Sequence, residues 1–175
     1  APAPTPADVL ACNEENGSVA YVDTRGRAVL LELRLGTITV ASDAKLTDLA
    51  SSDGRAIFGI EKDGDILRMT PSGDWTLDPP QPARKVFPME DGGLLVEVGR
   101  GANTHLLKYV PPDSRVVEEI PFPVASLTVR SLLGDRLYLA VDSGIIMLST
   151  RTMDWGPPVP LEEPIEVMAA TPSGD

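Results

Sequence analysis

Few of the chain's 175 residues have both the type and the company that chemistry requires. His105 is the only histidine, and it opens an apolar run at Leu106 and Leu107. With no second histidine and no carboxylate beside it in sequence, neither a zinc site nor a Ser-His-Asp arrangement can be assembled locally, and a structural role is expected. Cys12 is the only cysteine, which excludes an internal disulfide and any Cys-x-x-Cys metal or redox site. It is expected to act as a small apolar residue in an inner strand. Asp63-Gly64-Asp65 sets two carboxylates close together, a pattern that could bind calcium. The alternating acids and distant glutamate of an EF-hand are missing, and a hairpin turn accounts for the segment. Asn16-Gly17-Ser18 meets the glycosylation rule, yet Asn-Gly is also the strongest hairpin signal.

A site could still be assembled from residues far apart in sequence, and that depends on the elements holding them. The chain repeats. A glycine turn recurs at Asn16-Gly17, Asp53-Gly54, Asp91-Gly92, Gly134-Asp135 and Ser173-Gly174-Asp175, with glycine spacings of 37, 38, 42 and 40 residues. Each of the first four turns is followed by a run of strand formers, at Val19 to Val22, Ala56 to Ile60, Leu94 to Val98 and Leu137 to Val141. Polar turns then lead to further runs at Ala28 to Leu31, Ile66 to Met69, Leu106 to Tyr109 and Ile145 to Leu148. A weaker strand is expected near Thr37 to Val40, Trp75 to Leu77, Arg115 to Ile120 and Trp155 to Val159. Ahead of each glycine turn sits an inner strand, read at Asp8 to Cys12, Leu46 to Ala50, Lys85 to Met89, Ser126 to Val129 and Glu166 to Ala170.

Four antiparallel strands, here termed A to D, in about 40 residues form one β-propeller blade. The expected fold is all-β: four propeller blades plus the first strand of a fifth, a partial propeller. Residues 1–6 read as an N-terminal linker, with blades at about 7–44, 45–84, 85–124 and 125–164, and the fifth blade's first strand at 165–175. Prolines gather around strand D, where a missing N–H is tolerated on a sheet edge, so D is expected at the rim. Asp74-Trp75 and Asp154-Trp155 recur two repeats apart and read as blade packing. A chain ending within a hairpin turn leaves strand A of the fifth repeat to be completed by further blades, by a second copy, or by closing a four-bladed ring.

Strand alternation puts the D–A and B–C connections at one end of every blade, and rigidly held loops are where propellers place sites. That end is expected to carry Asp23, Arg25, Asp43, Lys45, Glu61, Lys62, Gln81, Arg84, Lys85, Arg100, Asn103, Asp142, Glu162 and Glu163. Of these, Lys45, Lys62, Arg84, Arg100 and Asp142 are the candidate binding residues. Asp48 and Glu166 are the inner-strand acids that a metal-dependent lactonase would use.

Leu46-Thr47-Asp48-Leu49-Ala50-Ser51-Ser52-Asp53-Gly54-Arg55-Ala56-Ile57-Phe58 resembles the apolar, Ser-rich, Asp-Gly, strand pattern of the bacterial YVTN and quinoprotein-like propellers. Ala169 to Asp175 looks like a shortened counterpart. The resemblance covers the chain as a rhythm and implies a propeller. The docking tryptophans and vicinal cysteines of the quinoprotein dehydrogenases are absent, which argues against a quinone cofactor. Such families include enzymes, envelope components and adaptors, so the fold by itself assigns no activity.

Composition narrows the field. Hydrophobic residues make up 42% of the chain, enough for a core, while 15 glycines and 17 prolines against 5% aromatics favour short punctuated strands. A formal net charge of −11 repels nucleic-acid phosphates and anionic lipid headgroups and favours solubility. No apolar stretch approaches the roughly 18 residues of a membrane span. Ala1-Pro2-Ala3-Pro4-Thr5-Pro6 has the composition of a linker behind a removed signal peptide, so a secreted or periplasmic location is expected. These features predict a noncatalytic binding or scaffold propeller that recognises a protein or small polar ligand through its loop face or central channel, with no metal and no cofactor. A metal-dependent lactonase or hydrolase, and a structural fragment of a larger envelope protein, are the alternatives.

Overall fold

The computed structural model describes residues 10–13, 18–32, 35–42, 45–52, 56–69, 75–89, 91–100, 103–110, 115–122, 129–133, 135–141 and 144–162. These form four antiparallel sheets of four strands, each in simple sequence order. The first holds β1 (Leu10–Asn13), β2 (Ser18–Val22), β3 (Ala28–Glu32) and β4 (Thr37–Ser42). The second holds β5 (Leu46–Ser52), β6 (Ala56–Glu61), β7 (Ile66–Met69) and β8 (Trp75–Leu77). The third holds β9 (Ala83–Pro88), β10 (Leu94–Val98), β11 (His105–Val110) and β12 (Arg115–Pro121). The fourth holds β13 (Val129–Leu133), β14 (Arg136–Val141), β15 (Gly144–Ser149) and β16 (Val159–Pro160). The expected fifth strand A, at 166–170, lies outside the described residues.

The sheets stack face to face through apolar side chains. β10 shows how. All five of its residues are buried, because both faces of the third sheet are covered. Leu94, Val96 and Val98 point one way and pack with Phe58, Ile60 and Ile66 of the second sheet. Leu95 points the other way and packs with Leu137, Leu139 and Leu148 of the fourth. A further cluster joins Ala20, Val22 and Ala28 of the first sheet to Leu46, Leu49 and Met69 of the second. Burial of each large side chain here contributes about 1.5–3 kcal/mol. β5 lies against both β1 and β9, so the A strands of the first three sheets are neighbours, and the D strands form the outer edges of their sheets.

Two hairpins share one geometry. In Asp23–Arg27 the Asp23 N–H donates to the Arg27 carbonyl (3.0 Å) and the Gly26 N–H to that of Asp23 (2.8 Å). In Glu61–Asp65 the matching bonds measure 2.8 and 2.9 Å. Gly26 (φ 82°) and Gly64 (φ 94°) take the left-handed position that closes a three-residue loop, so Asp63-Gly64-Asp65 is indeed a hairpin turn.

Three elements differ from expectation. β13 runs from Val129 to Leu133, past the expected end at Val129, because Leu132 pairs with Leu137 and Leu133 with Arg136, while the expected residues 126–128 lie outside the described residues. The connection is so tight that strand A must run up to it, polar Arg130 and Ser131 included. β9 begins at Ala83, two residues earlier than the expected start at Lys85, since Ala83 pairs with Val98. The last D strand is interrupted. Trp155 bridges to Leu148 and Val159 pairs with Ile145, while Pro157 and Pro158 between them have no N–H to offer the ladder. Pro121 and Pro160 sit on edge strands β12 and β16, as the rim assignment requires.

Candidate binding groove at the loop end

The shared hairpin geometry produces a repeated joint between blades. The Gly26 carbonyl accepts the Leu46 N–H at 2.9 Å, and the Gly64 carbonyl accepts the Ala83 N–H at 3.0 Å. Each B–C turn is thereby tied to the first residue of strand A in the following blade, and both connections stand at the same end. At the second joint the fit is tight. A β-carbon on Gly64 would lie 2.5 Å from the Pro82 Cα, so only glycine lets the two backbones meet.

Above this joint lies a groove of roughly 420 Å³, lined by Thr47, Glu61, Lys62, Gly64, Gln81, Pro82, Ala83, Arg84, Gly99, Arg100 and Asn103. Three connections converge on it: the B–C turn of the second blade, the D–A junction, and the B–C connection of the third. Gly99 (φ 83°) hugs the Asn103 carbonyl so closely that a side chain there would strike it. Nδ1 of His105 lies 3.0 Å from that same carbonyl oxygen, and its Nε2 is 3.4 Å from Oε1 of Glu119. His105 thus braces one wall of the groove, in keeping with the structural role expected of it.

Bulges aim two of the lining side chains. In β5 the pairing passes from Leu46↔Glu61 to Asp48↔Ile60, leaving Thr47 as the extra residue. In β9 it passes from Val98↔Ala83 to Glu97↔Lys85, leaving Arg84. A bulge turns its residue out of the strand's alternation. Thr47 donates its hydroxyl to the Ile60 carbonyl at 3.2 Å, whereas Arg84 is exposed.

Of the sequence-derived candidates, the structure brings Lys62, Arg84 and Arg100 together, along with Glu61, Gln81 and Asn103. Lys45 belongs to the preceding joint, where it packs beside Gly26. Asp142, Asp43, Glu163 and Glu166 lie outside the described residues. Thr47 carried no signal in sequence, because a bulge is set by pairing with another strand.

The first joint is electrostatically closed. Asp23 accepts hydrogen bonds from Arg27 Nη2 (2.7 Å) and Nε (2.9 Å), and from the Arg27 and Arg25 backbone N–H groups at 3.0 and 2.8 Å. The Arg27 side chain and these backbone donors hold the Asp23 carboxyl down to about 2. Asp48, one residue past the β5 bulge, is pushed the other way by burial, partly offset by Lys85 and by the Leu49 N–H at 3.0 Å. Among the described residues no group of three or more His, Cys, Asp or Glu side chains could hold a metal ion.

No family model matches this sequence, and no curated protein does. Solved structures do. The chain superposes on AztD from Citrobacter koseri in its apo form with a TM-score of 0.65 at 12% identity, covering 90% of this chain and 47% of that one. It superposes on a chain of the mitotic checkpoint complex with a TM-score of 0.74 at 11% identity, covering 97% and 56%. BamB from Moraxella catarrhalis gives 0.56 at 12% identity, covering 86% and 52%. The fold is that of a β-propeller. The chain spans about half the length of these solved chains, and its four sheets follow one another in sequence order.

Proposed function

We propose that this chain is a noncatalytic recognition propeller that receives a polar ligand or protein segment in the groove between its second and third blades. The observation that carries the reading is the convergence of three connections on one walled, polar groove. Its floor is pinned by the Gly64–Ala83 hydrogen bond at 3.0 Å, and its Lys62, Arg84 and Arg100 side chains are exposed. A rigid scaffold presenting exposed polar groups in a concavity meets the requirements of a binding site without a catalytic set. Hydrolysis at an inner-strand acid fits less well, since Lys85 lies near enough to Asp48 to favour its charged form and would oppose a divalent cation there.

Kinship with the YVTN and quinoprotein-like families belongs to the same proposal, supported by the Ser-rich Asp-Gly segment Leu46 to Phe58 and its shortened counterpart at Ala169 to Asp175. So does an extracytoplasmic location, supported by the linker-like composition of residues 1–6. No helix among the described residues is long and apolar enough to cross a membrane.

Amide-shift mapping of the ¹⁵N-labelled protein against a panel of polar and charged peptides tests the site. Shifts are expected at Glu61 to Gly64, Ala83 to Lys85 and Gly99 to Asn103. Shifts clustered instead at the opposite end, around Asp91 to Gly93 and Ser149 to Asp154, would overturn the assignment.

A further inference from the structure

Resting on that reading, we infer that the groove between the second and third blades selects carboxylate groups, and that its ligand is a short acidic peptide segment. The chain contains its own control. The hairpins Asp23–Arg27 and Glu61–Asp65 have the same hydrogen bonds, and β5 and β9 carry the same bulge, so the first and second joints can be compared position by position. Where the first joint has Thr24 at the turn and Thr47 at the bulge, the second has Lys62 and Arg84. The scaffold therefore forms without a cation at either position.

Pairing separates the two joints further. At the first, Asp23 folds back onto its own turn and neutralises Arg27 at 2.7 Å. At the second, the equivalent residue is Glu61, one methylene longer, and it lines the groove. Among the described residues Lys62, Arg84 and Arg100 make no ion pair, and all three are exposed around the same concavity. Three cations and one carboxylate line the concavity, with Asp63 and Asp65 of the same turn outside its lining, so the lining itself is positive on a chain whose formal net charge is −11.

That contrast sets the ligand class. Beyond about 8 Å at physiological salt the acidic remainder of the chain is screened from a seated group, so the groove's own cations decide what binds inside it. A long polyanion would extend past the groove and meet the acidic surface. A segment carrying a few carboxylates would not. The guanidinium forks of Arg84 and Arg100 can each receive a carboxylate through two N–H donors, and Lys62 adds a mobile point charge.

The test uses fluorescence anisotropy with labelled ten-residue peptides on the unmodified 175-residue chain: a Gly/Ser peptide bearing four Glu, its Gln and Lys counterparts, and a Gln peptide bearing one phosphoserine. The Glu peptide is expected to bind, with affinity falling as NaCl rises from about 50 to 500 mM. Arg84→Gln and Arg100→Gln should each weaken it roughly tenfold or more, as loss of a charge-assisted contact implies. Arg25→Gln makes the same change in net charge at the first joint and should leave binding unaltered. Binding of the phosphoserine peptide without the Glu peptide overturns the carboxylate assignment, as does equal weakening by Arg25→Gln. If the Gln and Lys peptides shift the groove amides as strongly as the Glu peptide, the inference about charge falls and the binding site stands. If no peptide shifts them, both fall.

Discussion

Gly26 and Gly64 occupy equivalent positions in equivalent turns, but the space around them differs, and this gives a sharp test of how the blades are joined. Alanine at either site must adopt a left-handed backbone, at φ 82° or 94°, which costs an L-residue roughly 1–2 kcal/mol. Reduced freedom of the unfolded chain returns about 0.4–1 kcal/mol in both cases. At Gly26 the new methyl would sit 3.4 Å from the Lys45 Cα, a contact that a small adjustment relieves. At Gly64 it would sit 2.5 Å from the Pro82 Cα and 2.9 Å from the Ala83 nitrogen, both backbone atoms that cannot swing aside. The turn must lift off the junction, and the Gly64–Ala83 hydrogen bond, worth about 1 kcal/mol net, is lost with it. Gly26→Ala should therefore cost about 1 kcal/mol and Gly64→Ala about 2–3 kcal/mol. For a chain of this size these correspond to falls in Tm of roughly 2–4 °C and 4–12 °C. Thermal unfolding followed by far-UV circular dichroism measures both. Equal losses, or a larger loss at Gly26, would refute the claim that the second joint is a backbone-to-backbone contact.

Other expectations follow from single side chains. The folded Asp23 carboxyl, held at about 2 by Arg27, stays ionised where the unfolded chain has taken up its proton. Its contribution is thus complete above about pH 4 and is lost between about pH 4 and 2. Asp23→Asn should flatten the fall in stability over that interval, and a ¹³C carboxyl titration with a midpoint at the ordinary 3.8 would contradict the assignment. Asp48 has the opposite sign: burial raises its folded-state pKa, so ionisation costs stability above that value and the cost is relieved as pH falls through it. Asp48→Asn should gain on the parent protein as pH rises from about 4 to 7, and a stability difference independent of pH would count against the argument. Trp155 donates its indole N–H to the Pro121 carbonyl of the preceding blade at 3.2 Å while its ring lies 5.9 Å from Phe122. Trp155→Phe keeps a ring and loses the bond, so it should cost about 1 kcal/mol in urea unfolding; no loss would show that the indole latch contributes nothing.

Much of the architecture is legible in the residue order because each blade's strands pair with sequence neighbours. Ile66–Met69, Trp75–Leu77 and Leu94–Val98 begin and end where their side-chain types change. Boundaries slip where pairing rather than composition decides. Arg130 and Ser131 fall beyond the strand read at Ser126 to Val129, yet they are strand because Leu132 and Leu133 pair with Leu137 and Arg136. The run Trp155 to Val159 reads as one strand, yet its two prolines leave only separated contacts with β15.

The same division governs the groove. That Lys62, Arg84 and Arg100 share one end of the molecule follows from strand parity alone, since every B–C and D–A connection returns to that end. That they surround one concavity, with Lys45 left at a different joint, depends on how the second blade packs against the third. The bulges that free Thr47 and Arg84 are set by partner strands, and the closure of Asp23 on Arg27 contrasts with the open Glu61 only once the two turns are superposed. By itself the sequence determined the repeat, the strand order, the rim prolines and the loop-bearing end, because these are local or periodic properties. The inter-blade joints and the shared groove were decided by the tertiary structure, because they depend on atoms that the chain brings together from about 20 to 40 residues apart; the bulges depend on the pairing of neighbouring strands, and the closure of Asp23 on Arg27 on the conformation of its own turn.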